Sequence, residues 1–199
     1  MAMNQEKMIG LMREILQDEY LELVVRAYTL TEELSEGRSQ IKCQMTNKNG
    51  KDVEVEGQGV GLIDAVFDGM RSYLAEDYSS LNSIRFSQFS IKGLISSDLE
   101  STKAEAQATV GIVNSVGKEF VFQTQEPSVS RAGIQATVNA AEYFVNSERT
   151  YIKLHEILNH YRSEGRTDLV EKYTDLMSQV VQNTSYSDVV EQIKREMKS

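Results

Sequence analysis

The chain has 199 residues, 30 acidic against 21 basic side chains, a net charge of −9 and a hydrophobic content of 40%. That balance describes a folded soluble protein of one large domain, or one domain with an appendage, and argues against disorder, a membrane-spanning helix, and nucleic acid or an anionic membrane as main partner. The single cysteine, Cys43, excludes an internal disulfide framework and a cysteine-built zinc site, and residues 1–11 lack the apolar stretch of a signal peptide, so a cytoplasmic location is expected.

In chain order, residues 3–18 read as a helix, with Met8, Leu11, Met12 and Ile15 at spacings of three and four. Residues 20–34, rich in Val, Leu, Tyr and Thr, read as a long strand. Residues 38–46 alternate Ile41, Cys43 and Met45 against polar neighbours. Asn47-Lys48-Asn49-Gly50 is a hairpin turn, because Asn and Gly tolerate positive φ. Residues 51–56 alternate again with Val53 and Val55. Gly57-Gln58-Gly59-Val60-Gly61 then opens a helix to about residue 76, striped by Ile63, Val66, Phe67, Met70 and Leu74.

The second half repeats the layout. Residues 83–96 read as a strand whose apolar parity shifts between Phe86 and Phe89, which predicts a bend or bulge. Residues 104–114 alternate, 115–118 turn, and 119–124 alternate with Phe120 and Phe122. A loop with the only proline, Pro127, leads to a helix over about 130–146. Asn47 falls on Asn114, Gly50 on Gly117, Val53 on Phe120 and Val55 on Phe122, a constant offset of 67, which is expected to grow to about 71 in the helix. The fold class is therefore α+β. Two βββα units (20–78 and 83–147) pack with pseudo-twofold symmetry in one domain, 20–147, after an N-terminal helix, 1–19.

From residue 148 the pattern is helical throughout. Tyr151, Leu154, Leu158 and Tyr161 form one stripe, and Gly165 is a stop. Thr167 is the expected N-cap of the next helix, and Ser185 with Asp188 resembles a capping box. These stripes need a partner surface, either the first domain or another chain.

The glycine-rich loop carries the most chemistry. Glycines let backbone approach a ligand, and the following helix N-terminus presents free N–H groups suited to a carboxylate. The spacing is GxGxG after a hairpin strand, not the dinucleotide GxGxxG of a βαβ unit. A tight strand-to-helix turn explains the glycines equally well, and Asp64 in the first helical turn suits the dipole without any ligand. His155 and His160, five apart on a helix, do not share a face that would hold a metal. Cys43 is expected to be buried and inert. No catalytic constellation and no metal set emerges, so no cofactor is expected.

Gly57-Gln58-Gly59-Val60-Gly61-Leu62-Ile63-Asp64-Ala65 resembles the GxGxGPxDA-type signature of the C-terminal regulatory (allosteric, dimerisation) domain of 2-isopropylmalate synthase and citramalate synthase. Val129-Ser130, Ala136-Thr137, Ala140 and Asn146 are similar to that domain's second, weaker pattern. Leu62 stands where the family has Pro, and Ala132 where it often has an acid. The 199 residues hold neither the family's catalytic barrel nor its His-x-His metal motif, and the helical tail lies outside the pattern.

The resemblance implies a non-catalytic regulatory domain of leucine biosynthesis, standing alone, that dimerises and binds a small branched-chain amino acid as effector. Residues Gly57, Gly59, Gly61, Ile63, Asp64, Ala65, Ser130 and Ala136 would form its site. Two further expectations stand beside this one. One is a ligand-free dimeric scaffold that docks a protein partner through 149–199. The other is a separately encoded regulatory subunit of a synthase.

Overall fold

A computed structural model describes residues 4–98 and 101–197, so residue 3, where the first expected helix begins, lies outside the described residues. Helix α1 (Gln5–Leu16) starts on Asn4, whose side chain accepts from the Lys7 N–H, and buries Met8, Met12 and Leu16. Strands β1 (Leu23–Glu33), β2 (Arg38–Asn47) and β3 (Asp52–Gly59) form one antiparallel sheet in that order. Helix α2 (Leu62–Leu74) covers it, with Ala65, Val66, Met70 and Leu74 buried. Strands β4 (Arg85–Asp98), β5 (Ser101–Val113) and β6 (Glu119–Glu126) repeat the sheet, followed by α3 (Val129–Ser163).

The repeat holds residue by residue. Met45 pairs with Val53 in the first sheet, and Ile112 with Phe120 in the second. The expected bulge in β4 lies between Phe86 and Gln88, opposite Ile112 and Gly111. An unforeseen one in β1 lies between Val25 and Ala27, opposite Met45 and Gln44, which are the same two places in the unit. The offset of 67 also persists into the helices, since the N-caps are Gly61 and Ser128. The expected growth to 71 is therefore corrected: the second loop is no longer than the first. One contact makes the equivalence concrete. The Thr124 hydroxyl donates to the Ala132 carbonyl at 2.7 Å. At the matching pair in the first unit, Gly57 lies so close to the Ala65 carbonyl that a Cβ would sit 2.1 Å from it.

The two units share a core. Val53, Val55, Met70, Phe120, Phe122 and Val138 are buried, and Phe67 of α2 meets Phe86 of β4 edge-on at 4.9 Å. Both sheets turn their polar faces outward.

The expected helix over 130–146 and the separate helix after it are one continuous helix, α3, of 35 residues. No Pro or Gly interrupts it between Gly133 and Gly165, and Gly165, at φ +71°, ends it as expected. The polar run Asn146-Ser147-Glu148 at the expected boundary is fully buried. Ser147 and Thr150 hydroxyls donate to the carbonyls of Phe144 and Asn146 in their own helix, and Glu148 Oε2 accepts from the Ser80 N–H.

α3 also covers the start of the open edge of the first sheet, along residues 21–25. Asn146 bonds both the N–H and the carbonyl of Leu21, Glu142 accepts from the Leu23 N–H, and Gln135 donates to the Leu23 carbonyl and accepts from the Val25 N–H. Side chains at 135, 142 and 146 thus stand in for a neighbouring strand, which protects an edge from pairing with another chain. At the edge of the second sheet, Gln5 of α1 bonds both backbone groups of Val121.

The tail finds its surface on its own chain. α4 (Thr167–Val180) folds back on α3, with Tyr161 stacked on Tyr173 and Met177 and Val180 buried, and α5 (Asp188–Glu196) buries Val190 and Ile193. The N-cap of α4 is Arg166 rather than Thr167. That of α5 is Ser187, which accepts from the Val190 N–H. Ser185 instead accepts from the Ser115 N–H and lies 2.7 Å from the Ser83 hydroxyl, fastening the α4–α5 connection to the second unit. Among the described residues no helix is long and apolar enough to cross a membrane.

Candidate functional site

The strand-to-helix loop of the first unit divides its glycines between two jobs. A Cβ on Gly57 would also meet the Gly69 N at 2.3 Å, and one on Gly59 would meet the Asp64 Cβ at 2.6 Å and the Ala65 N at 2.7 Å. Both glycines are therefore required for β3 to lie against α2. Neither has a left-handed φ, nor does Gly61. What Gly57 and Gly59 approach closely is their own helix.

Gly61 differs. Its backbone is extended at φ −160°, a Cβ there would meet nothing within 4 Å, and it caps α2 without any side-chain hydrogen bond. The first-turn N–H groups of α2 consequently have no capping side chain. They are the positive end of the helix dipole and lie at the mouth of a cleft.

That cleft, about 450 Å³, is lined by Gly61, Leu62, Ile63 and Asp64 from the start of α2 and by Phe86, Ser87, Gln88 and Phe89 from the β4 bulge. Gly111 makes the bulge feasible: a Cβ on it would lie 2.4 Å from Gln88 Cγ and 2.5 Å from Ser87 Oγ. The Ser87 hydroxyl is held by Glu119 Oε1 at 2.6 Å. The start of α3 closes on the same place, since a Cβ on Gly133 would lie 3.2 Å from Ile63 Cδ1 and 3.6 Å from the Phe89 ring.

Of the expected residues, the structure brings Gly61, Ile63 and Asp64 together at the cleft. Gly57 and Gly59 lie behind it in the packing, and Gly57 also edges a separate open groove with Thr29, Lys42 and Asp68. Ala65 and Ala136 are fully buried in the core, and Ser130 is a half-buried residue of the first turn of α3. None of these three lines the cleft. Phe86 to Phe89 were missed as cleft residues, although the parity shift that marks their bulge is visible in the sequence.

The histidines are apart: His155 Nε2 lies 3.8 Å from Glu196 and His160 Nε2 lies 3.5 Å from Glu164. Burial pushes the Cys43 thiol up to about 11. Among the described residues no group of three or more His, Cys, Asp or Glu could hold a metal ion.

No curated protein matches this chain. A family model, described as the LeuA allosteric (dimerisation) domain, matches residues 2–145, and so takes in α1 as well as both βββα units. The match covers well over half of the 199 residues, and the chain belongs to the LeuA allosteric (dimerisation) domain family.

Proposed function

We propose that the chain is a non-catalytic regulatory domain that binds a small branched-chain amino acid, or a close analogue, in the cleft between the α2 N-terminus and the β4 bulge. The observation that carries this reading is the uncapped start of α2 opening on that cleft. Free N–H groups and the dipole favour the ligand's carboxylate. Asp64, exposed at the rim, supplies a counter-charge for the ammonium, while Leu62, Ile63, Phe86 and Phe89 offer apolar contact to a branched side chain.

The family's dimerisation supports a homodimer. Val60, Phe89 and Val129 are exposed where α2 and α3 begin, and they give a second copy an apolar surface next to the cleft. An effector bound there would couple to the dimer and, through it, to a synthase under control. The tail contributes stability to this domain, because its apolar residues are already buried against α3. That packing favours the effector reading over a scaffold that docks partners through 149–199.

A thermal-shift panel of amino acids and 2-oxo acids tests the proposal, since a ligand bound only by the native state raises the midpoint, the more so the further its concentration exceeds its Kd. Leucine, isoleucine or valine should raise it and glycine should not. Sedimentation should return a dimer.

A further inference from the structure

A second cavity lies on another part of the molecule. It occupies about 340 Å³ between α1, the start of β1, the edge of β6 and the middle of α3. Its mouth holds Arg13, 3.5 Å from Glu22 and stacked 4.7 Å over the Tyr20 ring. Further in lie Asn139, Tyr143 and Glu142. Glu142 is only 7% exposed. Its Oε1 accepts the Leu23 N–H, and no donor among the described residues reaches its Oε2. The Tyr143 hydroxyl is buried with no hydrogen-bond partner either.

Closing the β1 edge does not require a carboxyl at this position. Gln135 does the same work one step along the strand with a neutral amide, at no cost of burying charge. A carboxyl is the group that gains from a cation entering the cavity. Arg13 fills that role only in part, because its ion partner is Glu22 at the mouth and its charge acts on Glu142 without an ion pair. With both acids ionised, the charged lining of Arg13, Glu22 and Glu142 has a net charge of −1.

We propose that this cavity is a binding site for a small primary amine, whose ammonium pairs with Glu142 while its apolar tail lies along Ile9, Leu23 and Tyr143. The site is separate from the α2 cleft and does not depend on the effector reading.

Binding is coupled to a proton. Burial, with Glu22 adding to it, raises Glu142 to about 8 against the opposing pull of the Leu23 N–H and Arg13. Near neutrality the empty site therefore holds a carboxylic acid. An incoming alkylammonium displaces that proton to solvent and leaves a carboxylate–ammonium pair, so affinity rises about tenfold per pH unit below 8.

The test is calorimetry of the full chain with isopentylamine at neutral pH, in phosphate and in MOPS, which holds no primary amine and whose ionisation heat differs from that of phosphate. Isopentanol serves as the neutral isostere. Saturable amine binding with release of about one proton per ligand is expected, with no binding of the alcohol. Glu142→Gln keeps an acceptor for Leu23, so it should fold and lose amine affinity at least tenfold. Equal affinity in Glu142→Gln, binding without proton release, or no saturation of the wild type at millimolar amine would each overturn the proposal. Amine binding lost in Gly61→Val but kept in Glu142→Gln would place the ligand in the α2 cleft and overturn it as well.

Discussion

Asn47 and Asn114 close the same turn with the same bonds, and only Asn114 is fully buried. Each side-chain oxygen accepts two backbone N–H groups, from Asn49 and Lys51 in the first unit and from Val116 and Lys118 in the second. Gly50 and Gly117 follow at φ +76° and +83°. The difference is the tail: Asn114 Nδ2 donates to the Thr184 carbonyl at 2.7 Å, and Lys118 Nζ reaches Asn183 Oδ1 at 2.7 Å. Asn47→Ala should cost about 1–2 kcal/mol, and Asn114→Ala about 2–4 kcal/mol, because it also leaves a buried carbonyl unpaired. Urea unfolding of the two variants checks this, and equal losses would contradict it.

The glycine loop gives a second prediction. Gly57→Ala should destabilise by about 3 kcal/mol or more, since the new carbon meets α2 backbone that has no room to move. Gly61→Ala, in open space and with extended φ, should cost about 0.5–1 kcal/mol through the weaker N-cap. Thermal or chemical denaturation separates the two, and similar costs would show that β3 and α2 are not in such close contact.

Glu142 ties stability to pH. Its carboxyl goes from 4.5 to about 8 on folding, so between those values the native state keeps a proton that the unfolded chain has lost. The contribution is fully favourable below pH 4.5 and is lost as pH rises through 8. Glu142→Gln should flatten this decline and be about 1–3 kcal/mol more stable than wild type at the alkaline end. Unfolding curves collected across that window should show it, and parallel curves for the two proteins would contradict it.

Cys43, 1% exposed and with its thiol raised to about 11, should react with a thiol reagent only when the molecule opens. Its labelling rate should follow the global unfolding equilibrium. Rapid labelling of the native protein would place β2 outside the core.

The hairpins were legible because their signals are local: the Asn and Gly of each turn, and the alternation on either side. The β4 bulge was legible because Phe86 and Phe89 change parity, whereas its twin in β1 was hidden, since Val24 and Val25 are apolar on both parities. The length of α3 was not legible. The polar residues Asn146, Ser147 and Glu148 sit at the expected boundary, and only the folded chain shows that a helix carbonyl, Leu21 and Ser80 satisfy them inside one helix. The glycine motif was legible but the division of work among its glycines was not, because a missing Cβ looks the same in the sequence whether it makes room for a ligand or for a helix. Glu142 left a trace that went unused, an acid inside the apolar run Ala140-Ala141-Glu142-Tyr143-Phe144-Val145.

Effector binding in the α2 cleft is tested most directly by calorimetry of leucine, isoleucine and valine with the wild type and with Gly61→Val. The added side chain leaves β3 against α2 undisturbed and fills space beside the free N–H groups of α2. At least one of the three should bind the wild type with one-site stoichiometry, and Gly61→Val, folded by circular dichroism, should weaken it at least tenfold. No binding of any of the three to the wild type, or unchanged affinity in Gly61→Val, would contradict the account.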